Sequence, residues 1–145
     1  MVDRALILRK LEMLQEYIND LKSAKDINWE VYQHDLRARR FVERTLHLCL
    51  EEIMDIAQHI ISDEGLRTPQ SYRDIFVVLA ENEIIPKRDL DLFKQMSSFR
   101  NILVHHYEKI DDAIVYGIFK RHLKDMEYFK ELILVFLKRR KDEKT

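Results

Sequence analysis

Apolar residues recur along this chain with the period of a helix rather than a strand. Ile7, Leu11, Leu14, Ile18 and Leu21 are spaced 4, 3, 4 and 3 apart, and that single stripe predicts an amphipathic helix from about Asp3 to Ile27. Asn28 or Asp26 can cap the next element. A second helix is predicted across Val31–Ile61, burying Val42, Leu46, Cys49 or Leu50, Ile53, Ile56 or Ala57, and Ile60. Its middle is apolar on both sides, as expected of a helix with more than one neighbour. "SDEG" ends it, with Gly65 as the left-handed cap.

Thr68–Pro69 is a helix-start signal, and Ser71 with Asp74 resembles a capping pair. A short helix is predicted over Tyr72–Glu81. Pro86 opens a fourth helix, about Lys87 to Val104. After "HHYEKID", Asp111 or Asp112 caps a long final helix whose stripe is Val115, Phe119, His122, Met126, Phe129, Ile133 and Phe136. The tail "KRRKDEKT" is charged and expected to fray from 138 to 145.

The expected fold is all-α: an antiparallel bundle of four main helices plus a short one, forming one domain over residues 1–145. Two Gly and two Pro in 145 residues, with 46% apolar and 35% charged residues, fit long helices and few turns. A chain of this length buries a core without disulfides or metal. The single Cys49 rules out a disulfide framework and a Cys-based zinc site. His47, His59, His105, His106 and His122 lack metal-ligand spacing, so no metal or cofactor is expected. A net charge of −1 does not demand a nucleic-acid partner, but a local basic patch would suffice for one. "MVDRALILRK" mixes acid and base into its apolar stretch and does not read as a signal peptide. "LILVFL" is too short to span a bilayer. A cytoplasmic protein with no membrane contact is expected.

The chemistry concentrates in "FRNILVHHY", residues 99–107. Phe93, Met96, Arg100, Leu103 and Tyr107 share one stripe, so Arg100 falls on the apolar side of its helix. A guanidinium there needs partners or a cleft, because an unpaired buried charge is costly. His105 lies five residues on, roughly 140° around an ideal helix from Arg100. Either the helix stops near Val104 and the backbone turns back, or a second copy supplies the missing group across a two-fold axis. The plainer alternative is a capped helix end with a structural ion pair.

Arg100, four residues, then His105, then Tyr107 two further on, resembles the motif of the HEPN superfamily of helical ribonucleases. It is closest to the HepT-like toxins of the minimal-nucleotidyltransferase toxin–antitoxin systems. "RRFVERTLHLCLEEIMDIAQHII", "PQSYRDIFVVLAENEIIP" and "FRNILVHHYEKID" follow that family's order and spacing over nearly the whole chain. The resemblance implies a HEPN-like fold and a homodimeric, metal-independent endoribonuclease toxin acting on RNA. In it His105 is the acid or base, Arg100 the phosphate clamp, and Asn101 an orienting residue. Tyr107 is the position that the family's antitoxin nucleotidyltransferase adenylylates, placing phosphates where RNA would bind. His106 departs from the pattern and leaves open whether His105 alone does the chemistry.

Glu43 and His47, i and i+4 on the second helix, either border the cleft or form a plain surface pair. Arg40, with Arg37 and Arg44 on the same face, either tracks phosphates or is solvated. His122 reads as a core histidine. A rival function from another class is a non-catalytic helical partner that binds and stabilises a nucleotidyltransferase.

Overall fold

The computed structural model describes residues 2–104 and 110–143. Among these residues there are seven α-helices and no strand: α1 (Arg4–Ser23), α2 (Trp29–His34), α3 (Leu36–Asp63), α4 (Tyr72–Glu81), α5 (Leu90–Val104), α6 (Asp112–Arg121) and α7 (Leu123–Glu143). The all-α fold therefore stands, and the expected stripe of α1 is buried throughout. The helix count rises because two predicted helices are each broken once.

The first break is at Asp35. Its backbone is extended, and its carboxylate accepts from the N–H groups of Arg37 and Ala38 at 2.9 and 3.2 Å. It thereby caps α3 and ends α2 at the same point. The second is at His122, whose Nδ1 lies 2.8 Å from Asp125 Oδ2, across the first turn of α7. His122 is half-buried and tilts against Phe99, with ring centroids 4.9 Å apart. It sits at a hinge between helices, not within one stripe. A third departure is smaller: Lys87–Asp89 form a 3₁₀ turn before α5 begins at Leu90.

Other caps follow the local chemistry. Asn28 caps α2, Asp111 caps α6, and Ser71 caps α4 through the Asp74 N–H at 3.0 Å. Residues 66–71 are non-helical, so the chain does not turn helical at Pro69. Gly65 has φ +64. The Gly65 N–H reaches the Ser62 carbonyl and the Leu66 N–H the Ile61 carbonyl, the paired bonds that close a helix on a left-handed residue.

The helices α1 and α3 form the main layer. Asp3 meets Asp63, and Lys10 meets Glu52 and Asp55, so the two run antiparallel. Along α7, Leu137 accepts from Arg4, and Lys130 and Glu127 meet Gln15, which makes α7 antiparallel to α1 as well. α7 runs on to Glu143, with Arg139 donating to the Glu83 carbonyl and Arg140 to Glu64. Helices α4 and α5 pack on the other side of α3 and on each other. Phe76, Phe93 and Phe129 interlock between α4, α5 and α7, all fully buried. Each such ring contributes about 1.5–3 kcal/mol by leaving water. This cluster anchors α5 two turns before Arg100.

Candidate functional site

α5 carries Arg100 one turn before its last described residue, Val104. The side chain is 18% exposed and reaches across to α3, where its Nε donates to Glu51 Oε1 at 2.9 Å. Its guanidinium carbon lies 4.1 Å from the centroid of the Tyr72 ring. The cation is thus held by a carboxylate on one side and an aromatic face on the other. That answers the cost of placing an arginine on an apolar stripe. Among the described residues its hydrogen bond is through Nε, and the two terminal nitrogens of the fork make none.

The same Glu51 oxygen is 3.1 Å from His47 Nε2, one helical turn back on α3. Arg44 Nη1 lies 3.5 Å from the other ring nitrogen, Nδ1. One tautomer satisfies both contacts: Nε2–H donates to Glu51 and Nδ1 accepts from Arg44. Four side chains therefore run in line along the α3–α5 seam: Arg44, His47, Glu51 and Arg100. Three are basic or can be, and one carboxylate serves two of them.

Of the residues singled out in the sequence, the structure brings His47 to Arg100 through Glu51. It does not bring Glu43. That carboxylate is buried and faces the start of α3, where it accepts from Arg40 Nη1 at 3.1 and 3.3 Å and lies 3.9 Å from Arg39. It stands two turns from Glu51, about 12 Å along the helix. Arg40 is mostly exposed and spent on that pair. Asn101 is exposed, next to Arg100 but outside its contacts. His105, His106 and Tyr107 lie outside the described residues.

Two members of the site escaped the sequence reading. Glu51 forms an i,i+4 pair with His47, a signal present in the sequence. Tyr72 carried no signal: its part depends on how α4 packs against α5.

Tyr72 also forms one wall of a surface groove of about 560 Å³, between the second half of α3 and residues 66–75. The loop that walls it is pinned by Arg67, which donates to Asp74 at 2.8 and 2.9 Å and to Glu81 at 3.0 and 2.8 Å. The Arg67 guanidinium and the Gln70 N–H hold the Asp74 carboxyl down at about 2. Elsewhere, burial pushes the Cys49 thiol up to about 12. Among the described residues no three His, Cys, Asp or Glu side chains gather as a metal-binding group, and no helix is long and apolar enough to cross a membrane.

Comparison with known proteins places this geometry in context. A family model described as ribonuclease HepT-like matches residues 14–133. The mRNA nuclease HepT of Shewanella oneidensis is 32% identical over 128 residues, covering 88% of this chain and 96% of that protein. The tRNA nuclease HepT of Aphanizomenon flos-aquae is 28% identical over 117 residues, 79% of this chain and 78% of that protein. Among solved structures, the tri-AMPylated HEPN toxin of Shewanella oneidensis in complex with its MNT antitoxin superposes with a TM-score of 0.81 at 32% identity, covering 93% of this chain and 99% of that one. YutE of Bacillus subtilis, a cytosolic protein of unknown function, superposes at 0.83 with 24% identity over 96% of this chain and 93% of that one, and supports the fold alone.

Proposed function

This chain belongs to the ribonuclease HepT-like family, and from that premise we propose that it is the ribonuclease toxin of a toxin–antitoxin pair. It cuts RNA without a metal, with Arg100 and His105 as the acting groups. The observation that carries this reading is the setting of Arg100. A guanidinium held on Nε by Glu51 and on its face by Tyr72 is fixed in place before substrate arrives, which suits it to grip a phosphate.

The reaction fits those residues. A base removes the proton of a ribose 2′-hydroxyl, and the oxygen attacks the adjacent phosphorus. The bond from phosphorus to the 5′-oxygen breaks, and that oxygen takes a proton. A 2′,3′-cyclic phosphate and a 5′-hydroxyl are left. An imidazole titrating near neutrality serves as the base or the acid, which is the role of His105. Arg100 stabilises charge on the non-bridging oxygens. The functional unit is a homodimer, with the two Arg100–His105 pairs facing one cleft.

The partner is a nucleotidyltransferase antitoxin that adenylylates Tyr107. Phosphates attached two residues past His105 compete for Arg100 and repel RNA. The tri-AMPylated state of the Shewanella toxin in its antitoxin complex supports this control for the present chain.

The test is cleavage of total RNA in the presence of a chelator, with the ends mapped. The parent chain should yield cyclic-phosphate ends. Arg100→Ala and His105→Ala should each lower the rate by about 100-fold or more while the dimer stays folded. Intact RNA with the unmodified parent chain would instead support a non-catalytic partner of the nucleotidyltransferase.

A further inference from the structure

The groove beside Tyr72 has no part in the cleavage chemistry above, yet it shares a residue with it. One tyrosine ring carries Arg100 and also lines the groove. Tyr72 as a residue stays 38% exposed despite that stack. A volume near 560 Å³ is within the range of small-ligand sites. Its apolar lining includes Ile61, Leu66, Pro69 and Ile75, and Gln58 and Gln70 are among its polar residues. Flat apolar contact with polar edges is the pattern of a nucleobase site. Proteins read single-stranded RNA by splaying a base onto an aromatic face and hydrogen-bonding its edge.

The site is also preformed. Arg67 ties the 66–71 loop to both Asp74 and Glu81, and Asp74 accepts from the Gln70 N–H at 2.9 Å. The wall that carries Gln70 is therefore held before any ligand arrives, which lowers the ordering cost of binding.

We propose that this groove is a base subsite, holding the unstacked base of the nucleotide next to the phosphate on Arg100, with adenine preferred. The inference rests on the reading of Arg100 as the phosphate clamp of an RNA-cleaving site. Adenine is the choice because the common bidentate pairing of a glutamine amide is with adenine, its oxygen accepting from N6 and its nitrogen donating to N7. Tyr72 and the apolar lining supply sequence-tolerant affinity, and Gln58 and Gln70 supply the choice of base.

The test uses two oligonucleotide sets and the double variant Gln58→Leu/Gln70→Leu. Both glutamines are exposed, so the variant should melt with the parent. One set is 2′-O-methyl RNA, uncleavable by 2′-hydroxyl attack, with A, G, C or U at one varied position. The other is the same set with a ribose at the scissile link. The parent should bind and cut best with adenine. The double variant should lose about tenfold in affinity for the adenine oligonucleotide and cut the four sequences alike. If the variant keeps the parent's affinity and preference while both cut RNA, the subsite is refuted and the cleavage reading survives. If the parent binds adenine through these glutamines but cuts nothing, the cleavage reading falls and the base site stands. No binding and no cutting by the parent refutes both.

Discussion

Arg100 Nε and Glu51 Oε1 meet at 2.9 Å across 49 positions of chain, joining α5 to α3. Glu51 fixes the direction of the guanidinium but also places a negative charge where a phosphate would approach. Orientation and competition therefore act through one carboxylate, and they can be separated by substitution. Glu51→Gln keeps an acceptor for Nε and removes the repelling charge. It should tighten RNA binding, seen as a KM a few-fold lower. Glu51→Ala removes the acceptor as well. At 18% and 40% exposure the pair is worth about 1 kcal/mol, so the melting temperature should fall by about 2–4 °C. Thermal melts and steady-state cleavage of one fluorogenic RNA measure both effects.

Phe93 holds the other end of α5. It is fully buried, stacked on Phe76 at 5.8 Å between centroids and on Tyr128 at 6.0 Å, with its edge against Phe129 at 5.9 Å. Phe93→Ala opens a cavity among aromatic rings that cannot all collapse into it. A loss of about 3–5 kcal/mol is expected, read as a lower urea midpoint with an unchanged slope. An exposed control, Val135→Ala, removes two methyl groups from a 55%-exposed side chain and should move the midpoint little.

These two residues show what the sequence made legible. The stripe containing Phe93 and Arg100 was visible as spacing, as were the stripe of α1, the bounds of α4 and the Gly65 cap, because each depends on neighbours a few positions away. The break at His122 was hidden because the apolar period runs through it, and the break at Asp35 because it falls in the stretch before the buried stripe of its helix begins at Val42. Only the capping geometry reveals that the chain turns there. The contact between Arg100 and Glu51 was hidden for a different reason. It depends on the register of α5 against α3, which no local pattern encodes, and the same holds for Tyr72. His105, His106 and Tyr107, named from the motif, lie outside the described residues, so Arg100 is the part of that motif whose setting the fold reveals.

The loop walling the groove should weaken in acid. The Arg67 fork lowers the pKa of both Asp74 and Glu81 relative to the unfolded chain. A carboxylate with a depressed folded pKa stabilises fully above its unfolded value, near 4, and loses that contribution as pH falls toward the folded value. For Asp74 that value is about 2. The stabilisation is therefore present at neutral pH and lost between roughly pH 5 and pH 2. Arg67→Met should flatten this part of the profile. The difference in melting temperature between parent and variant should shrink steadily over that interval. A difference that stays constant would show that the depressed carboxylates contribute nothing to stability.

Cys49 offers a probe of opening at the centre of the molecule. It is the only cysteine, fully buried on α3. Burial is the largest cause of its raised pKa, about 12, because the low-dielectric interior disfavours the thiolate. Only the thiolate attacks a disulfide reagent, so at pH 8 the native thiol should be silent toward an aromatic disulfide. In the unfolded chain the thiol returns to its ordinary value near 8.5 and reacts at once. Labelling should therefore follow global unfolding, with a rate that rises with urea in step with the loss of helix signal. Phe93→Ala should accelerate labelling in proportion to its loss of stability. Glu51→Gln, which leaves the core intact, should not. Prompt labelling of the native parent would mean that the core around Cys49 opens locally while the rest of the bundle stays folded.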